Sequence, residues 1–201
     1  MKNLSELLPF FEKIGELKKI QRTGWKRWGI SNAEHVSDHA FRMSVMAMFF
    51  AKELKCNEQK LVQLALVHDL HESICGDLIL DYSSYHPKAK GLPKKEKKKI
   101  ERKAMEKLAK LLPKEKGKKF KKLWIEAEKG KTREGKILRE LDKLEMLLQA
   151  AEYERESNNT LGILPAFLRA NQRFIKEDEL KRFLEKMGQT GREKWKSAGK
   201  V

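Results

Sequence analysis

The sequence predicts an all-α protein, a single-domain helical bundle. Apolar residues recur at helical spacing through most of the 201-residue chain, and no stretch shows the two-residue alternation of a half-buried strand. A chain of this length can bury a substantial core in one domain, whereas two full domains would be cramped. We therefore expect residues 1–187 to form one domain and the polar residues 188–201 to form a frayed C-terminal tail.

The N-terminal half predicts three helices with one loop between the first and the second. The helices span residues 3–20, 33–54 and 57–71. Pro9 either kinks the first helix or marks its first turn. Residues 22–29 contain two glycines, two tryptophans and three cations and are interpreted as a loop. A tryptophan in a loop most often packs on the core, although arginines beside it also suit a pocket for a phosphate and a base.

The C-terminal half predicts helices separated by glycine and proline. Gly76 ends the third helix and leaves Asp77 just outside it, and a polar, aromatic loop follows over residues 81–93. The remaining helices are expected over residues 94–112, in a short segment after Pro113, over residues 133–156 and over residues 164–187.

The positive charge of the chain is concentrated in one segment. The formal net charge is +16, and residues 88–122 hold 17 Lys or Arg against 4 Asp or Glu. A nucleic-acid-binding segment and a thermophile-type surface rich in ion pairs both fit this composition. Against nucleic acid, the segment lacks interleaved aromatic residues apart from Phe120 and carries no zinc-finger or helix-turn-helix pattern. A lysine run at helical spacing is most often a solvated helix face.

The sequence indicates a cytoplasmic protein that is not embedded in a membrane. It has no run of 18 apolar residues and no signal-peptide core after Met1. Cys56 and Cys75 are far apart and outside any CxxC pattern, so two free, buried thiols are expected.

Polar residues with metal-ligating chemistry interrupt three apolar helical segments. They are His39, the adjacent pair His68-Asp69, and Asp142. Two imidazoles and two carboxylates suit a divalent transition metal with positions left for water, which is what a hydrolytic site needs. Glu72 lies one helical turn after His68 and projects from the same face.

The order His…His-Asp…Asp resembles the signature of the HD-domain metal-dependent phosphohydrolases. The similarity extends from about residue 5 to residue 175 and is strongest to the YfbR-like 5'-deoxynucleotidase branch. It is carried by Glu34–Met43, His68–Asp77, and Leu141–Met146 with Gln149-Ala150. The Arg22-Thr23-Gly24-Trp25 stretch separates the arginine and tryptophan that are adjacent in bacterial members, so the chain looks closer to the archaeal and eukaryotic members.

The resemblance implies a metal-dependent phosphoric monoester hydrolase that removes the 5'-phosphate from (deoxy)ribonucleoside 5'-monophosphates, usually as a homodimer. It implies that one divalent transition metal ion (Mn, Co, Fe, Zn or Ni) is bound by His39, His68, Asp69 and Asp142. It also implies catalytic roles for Glu72 and Asp77, of which Asp77 reads the sugar 3'-hydroxyl.

Two further residues match an Arg-Trp pair of the family. The resemblance implies that Arg22 holds the phosphate and that Trp25 presses on the sugar.

An HD-type phosphodiesterase or nucleotide triphosphohydrolase is an alternative within the same superfamily, and a nucleic-acid-binding protein using residues 88–122 is an alternative of another class. His35 and His71 are expected to pack, cap or lie at the surface rather than bind metal.

Overall fold

Helices and the turns between them form the structure of the chain, which a computed structural model describes over residues 4–80, 91–157 and 161–187. Short 3-10 turns lie at Leu4–Leu7, Glu16–Lys18 and Gln172–Phe174. The helices are α1 (Leu8–Gly15), α2 (Thr23–Arg27), α3 (Val36–Phe50), α4 (Glu58–Val67), α5 (Glu72–Cys75), α6 (Lys94–Lys110), α7 (Lys114–Lys129), α8 (Arg133–Glu156), α9 (Ile163–Asn171) and α10 (178–187). The predicted all-α fold is confirmed.

Two groups of buried apolar side chains hold the helices together. The larger group lies between α3, α4, α8 and α9 and includes Met43, Leu64, Leu141 and Phe167. The smaller group joins α1, α6 and α7 through residues such as Phe10, Leu108 and Trp124. The start of α5 packs against this second group, so the stretch after α4 lies between the two cores.

The long helix α8 organises the C-terminal part through two buried carboxylates that cap other helices. Glu154 accepts the backbone N–H groups of Gly162 (2.9 Å) and Leu164 (3.0 Å) at the start of α9. Glu140 accepts those of Lys176 (2.6 Å) and Glu177 (2.9 Å) just before α10. Because the first N–H groups of a helix lack intrahelical partners, these contacts fix where α9 and α10 begin.

Several of the predicted elements were wrong in extent or type. The helix expected over residues 57–71 ends at Val67, and residues 72–75 form the separate helix α5 after a turn. Residues 22–29 are not a simple loop, since Thr23–Arg27 is a short helix whose first N–H is held by Asp77. The segment after Pro113 is the 16-residue helix α7. The single helix expected over 164–187 is broken at Ile175, where the backbone is extended and Glu140 captures the following amides.

Several other expectations are met by the described residues. Pro9 lies in the first turn of α1, and Cys56 and Cys75 are free, partly buried thiols. Gly76 does end a helix, with a positive φ of 74°, but that helix is α5 and not the one expected over residues 57–71. Most of the predicted loop 81–93 and the predicted tail 188–201 lie outside the described residues. Within the described ranges, no helix has the length and apolar character needed to cross a membrane.

Candidate metal centre and active site

Three helical segments deliver the four candidate ligands to one place between the two cores. His39 lies in the first half of α3 and is fully buried. His68 is the C-cap of α4, and Asp69 follows it in the turn before α5. Asp142 lies in α8, which packs against both α3 and α4. The end of α4 therefore meets the side faces of α3 and α8.

The ligand atoms of these residues converge as a metal site requires. His39 Nε2 lies 3.4 Å from Asp142 Oδ1 and 3.9 Å from Asp69 Oδ2. His68 Nε2 lies 3.0 Å from Asp69 Oδ2 and 3.4 Å from His39 Nε2. Donor atoms of His39, His68 and Asp142 all lie within 4.8 Å of one another. Asp69 is not in this group of three but lies close to both imidazoles, so the structure places all four residues singled out from the sequence near one another.

Both imidazole rings are oriented so that Nε2 faces the cluster. His39 Nδ1 contacts Glu145 Oε2, and His68 Nδ1 lies 2.7 Å from the carbonyl oxygen of Ala65. A carboxylate or carbonyl on one ring nitrogen keeps the proton there and leaves the lone pair of the other nitrogen free for a metal ion. Two such imidazoles and two carboxylates fit a divalent transition metal.

Glu145 and Arg42 form a buried support for His39 that was given no role on sequence grounds. Arg42 donates from Nε to Glu145 Oε1 (2.8 Å) and from Nη2 to Gln149 Oε1 (2.6 Å), and its Nη1 reaches the carboxylate of Glu152 (2.7 Å). Glu145 is fully buried. It follows Asp142 by three residues on α8, so a search of that helix face for a second carboxylate would have found it.

The charges around the cluster keep its carboxylates ionised. Burial acts to raise the pKa of Asp69, but His68, His39 and Arg22 outweigh it and hold that pKa far below its usual range. Burial and Arg22 act to lower the pKa of His39, but Glu145 and Asp142 outweigh them and raise it to about 9. The carboxylates thus increase the basicity of the two imidazoles that face the cluster, and a bound divalent cation would replace the proton on them.

Glu72 lies beside the cluster in a different electrostatic state. It is 5% exposed, and burial together with Asp69 and Asp77 raises its pKa well above the usual value. Its Oε2 is buried with no hydrogen-bond partner among the described residues. Burial and the neighbouring carboxylates thus favour the protonated form of this group, the form in which a carboxyl group can donate a proton.

Arg22 supplies a positive charge beside Asp69. Its Nη1 lies 3.6 Å from Asp69 Oδ2, and 12% of its side chain is exposed. Asp77 fixes the neighbouring backbone by accepting the N–H of Thr23 at 2.6 Å, while the Thr23 hydroxyl donates to the Asp77 carbonyl at 2.8 Å. Arg22 is thereby held at the N-cap of α2, next to the candidate ligands.

Trp25 lies in the core rather than at the surface of the site. It is 2% exposed, stacks on Phe167 with ring centroids 4.6 Å apart, and donates from Nε1 to Glu34 Oε1 at 2.8 Å. The expected contact of Trp25 with a sugar stays a prediction and requires the indole to leave this stack. In the structure as it stands, the ring anchors α2, which carries Arg22 at its start.

The two other histidines of this region have structural partners. His35 is the N-cap of α3 and forms a reciprocal cap with Asp38. His71 is 2% exposed and accepts the indole N–H of Trp124 at 3.1 Å. Neither His35 nor His71 has an atom in the candidate ligand groups of the described chain, as the sequence predicts.

Comparison with known proteins identifies the family. The HD domain model matches residues 14–182, so the chain belongs to the HD-domain family. It is 42% identical over 148 residues to human 5'-deoxynucleotidase HDDC2, covering 74% of this chain and 68% of the human protein. It is 34% identical over 161 residues to the Schizosaccharomyces pombe 5'-deoxynucleotidase hdd1, covering 78% and 76% of the two chains.

A solved structure supports the same assignment. A conserved hypothetical protein from Pyrococcus furiosus matches with a TM-score of 0.65 and 31% identity, covering 92% of this chain and 99% of that one. The helical arrangement described above is therefore the HD-domain fold.

Replacing Glu145 by Gln is expected to weaken metal binding about tenfold, because the charged partner that orients His39 and increases its basicity is lost. Titration of the metal-stripped protein with Mn²⁺, Co²⁺ and Zn²⁺ measures this. Glu152→Gln is the matched control, since Glu152 also pairs with Arg42 but makes no contact with His39. Equal losses of affinity in the two variants would contradict the role given to Glu145.

Proposed function

We propose that this protein is a metal-dependent phosphohydrolase that converts (deoxy)ribonucleoside 5'-monophosphates into nucleoside and phosphate. The observation that carries the proposal is the convergence of His39, His68, Asp69 and Asp142 beside a buried carboxyl group and an arginine. The names of the human and fission-yeast relatives, both 5'-deoxynucleotidases, support the substrate class.

The four converging residues hold one divalent transition metal in this proposal. The candidates are Mn, Co, Fe, Zn and Ni, which mixed imidazole and carboxylate ligands accept. When bound, such an ion polarises a phosphate oxygen and acidifies a coordinated water. Glu145 and the Ala65 carbonyl keep the two imidazoles in the tautomer that binds it.

Glu72 handles the proton of the reaction. Its raised pKa and its unpartnered Oε2 support donation of a proton to the leaving 5'-oxygen, and its place beside Asp69 also suits orienting the attacking water. Arg22 binds the phosphate dianion, for which a guanidinium offers two parallel N–H donors. Asp77 secures the start of α2 and is the proposed partner of the sugar 3'-hydroxyl.

The proposal predicts metal-dependent phosphate release from nucleoside 5'-monophosphates. A panel of deoxy- and ribonucleoside monophosphates, with a triphosphate and a phosphodiester included, is assayed after metal removal and after restoring Mn²⁺, Co²⁺, Zn²⁺ or Mg²⁺. Release is expected from the monophosphates only when metal is restored. Turnover of the triphosphate or the diester alone would favour the alternative HD-type activities.

Two variants separate metal binding from proton handling. Asp69→Ala is expected to lose both metal and turnover, because it removes a candidate ligand. Glu72→Gln is expected to retain metal and substrate while kcat falls roughly 10²- to 10⁴-fold, the usual range for loss of a general acid or base. Near-normal turnover in Glu72→Gln would show that the proton role is wrongly assigned.

The lysine-rich surface of α6 and α7 supports electrostatic steering of an anionic substrate. In the segment 94–122, 13 Lys or Arg residues are exposed against two exposed glutamates. Ion pairs within the described chain join α6 and α7 cations only to Glu101, Glu106 and Glu115, so an ion-pair network does not account for the charge. The N-terminal half of α6 adjoins the site, since the charge of Lys97 acts on Glu72 and Asp69.

Steering predicts that kcat/KM for a monophosphate falls several-fold between about 0.05 and 0.5 M salt while kcat stays nearly constant, because salt screens long-range attraction. Reversing the exposed charges of Lys98 and Lys99 to Glu is expected to reduce this dependence. No salt dependence of kcat/KM would refute steering. Tight, steeply salt-dependent binding of a tRNA would instead favour the nucleic-acid-binding alternative.

An apolar face of α3 supports a homodimer. Phe41 (72% exposed), Met48 (44%) and Phe49 (66%) lie at helical spacing with Val45 on the side of α3 turned away from the core. Large exposed apolar patches of this kind mark protein–protein interfaces.

Sedimentation analysis is expected to give twice the mass of one chain for the wild type and a shift towards monomer for Phe49→Lys. A monomeric wild type would refute the dimer.

A further inference from the structure

A second group of buried polar side chains lies behind Glu72 and has no part in the mechanism proposed above. It consists of His71, Lys97, Glu101 and Trp124, hereafter the buried strut. His71 precedes α5, Lys97 and Glu101 belong to α6, and Trp124 belongs to α7. The strut therefore connects the start of α5, where Glu72 lies, to α6 and α7.

His71 lies between Trp124 on one side and the ion pair of Lys97 and Glu101 on the other. The indole N–H of Trp124 donates to His71 Nδ1 at 3.1 Å, and because an indole only donates, Nδ1 is the acceptor. The other ring nitrogen, Nε2, lies 3.5 Å from Glu101 Oε1 and has no hydrogen-bond partner among the described residues. The ammonium of Lys97 pairs with the same carboxylate oxygen.

The strut is buried although it contains charges. His71, Glu101 and Trp124 are 2%, 5% and 4% exposed, and the Lys97 side chain is 19% exposed. Burial acts to raise the pKa of Glu101, but the neighbouring His71 and Lys97 outweigh it and lower the pKa. Since a buried ion pair adds little net stability compared with apolar residues, stability alone is a weak explanation for the strut.

The position of Glu72 depends on contacts from outside its own helix. It is the first residue of α5, which has four residues and is followed by Gly76. A helix this short does not hold itself together in water, so packing fixes its position. His71 is the adjacent N-cap residue, and the charge of Lys97 acts on the Glu72 carboxyl group itself.

We propose that Lys97, Glu101 and His71 are positioning residues that fix Glu72 against the metal-ligand cluster. The inference rests on the proposed role of Glu72 in hydrolysis. It assigns the inward-facing Lys97 to the active site, in contrast to the exposed lysines that surround it on α6.

A double-mutant cycle tests this proposal with Glu101→Gln and Glu72→Gln. Glu101→Gln is expected to lower kcat about tenfold while KM and metal affinity stay within about twofold. In the Glu72→Gln background the same substitution is expected to change the residual rate less than about twofold, because its effect acts through Glu72. A general weakening of the fold would lower the rate by the same factor in both backgrounds and would overturn the proposal.

Glu106→Gln is the matched control, because Glu106 also lies on α6 and pairs with a lysine, Lys121, but is 45% exposed. It is expected to leave kcat unchanged. Lys97→Met is the second variant and is expected to reproduce the kcat loss of Glu101→Gln. A normal kcat in both strut variants would overturn the proposal.

Hydrogen exchange keeps this test separate from the proposed function. Absence of turnover in the wild-type protein would count against the proposed function alone. Amide exchange over residues 71–76 is expected to rise about tenfold or more in Glu101→Gln and Lys97→Met but not in Glu106→Gln. Unchanged exchange in the strut variants, with thermal unfolding as a check on folding, would overturn the positioning role whatever the substrate.

Discussion

The contact between His39 on α3 and Glu145 on α8 is the interaction on which the rest of the site depends. Both side chains are fully buried, so neither could keep its polar group there without the other and without Arg42. The contact fixes the rotation of α3 against α8. That rotation in turn sets where Asp142 lies relative to His39 Nε2, and α4 completes the cluster by ending at the seam between them.

The site lies where two apolar cores meet, and each core contributes a different part of it. The core of α3, α4 and α8 supports the candidate metal ligands. The core of α1, α6 and α7 supports the start of α5 and therefore Glu72. We therefore expect substitutions in different cores to disturb the proposed metal-binding and proton-handling parts separately, although His68 and Glu72 are only four residues apart along the chain.

Much of this arrangement could be predicted from the sequence, because helical periodicity is local. His39 and Asp142 interrupt apolar stripes that α3 and α8 reproduce, and the HD pair marks the end of α4 as expected. The break of the C-terminal helix at Ile175 could not be predicted in this way, because the carboxylate that captures its amides belongs to Glu140, 36 residues earlier. Such a cap exists only once the two segments have packed.

The strut escaped prediction for the same reason, and so did the partner against which Trp25 packs. Lys97 is one lysine among many in its segment, and only the approach of α5 to α6 distinguishes it from its neighbours. Trp25 follows Arg22 in a polar stretch, and its burial depends on Phe167 of α9. Residues whose roles depend on contacts between distant helices carry no local signal.

The 24 residues of α8 form one continuous helix, and this has a consequence for how the protein can vary. Along its length α8 carries Asp142, Glu145 and Gln149, which contact α3. It also carries Glu140 and Glu154, which hold the starts of α10 and α9. Inserting one residue into an α-helix rotates everything beyond it by about 100°. The length of α8 between Glu140 and Glu154 is therefore more tightly constrained than most of its side chains. Substitutions at its outward-facing positions are tolerated. A single inserted residue between Glu140 and Glu154 would instead break the contacts of both the candidate metal-ligand cluster and the C-terminal helices.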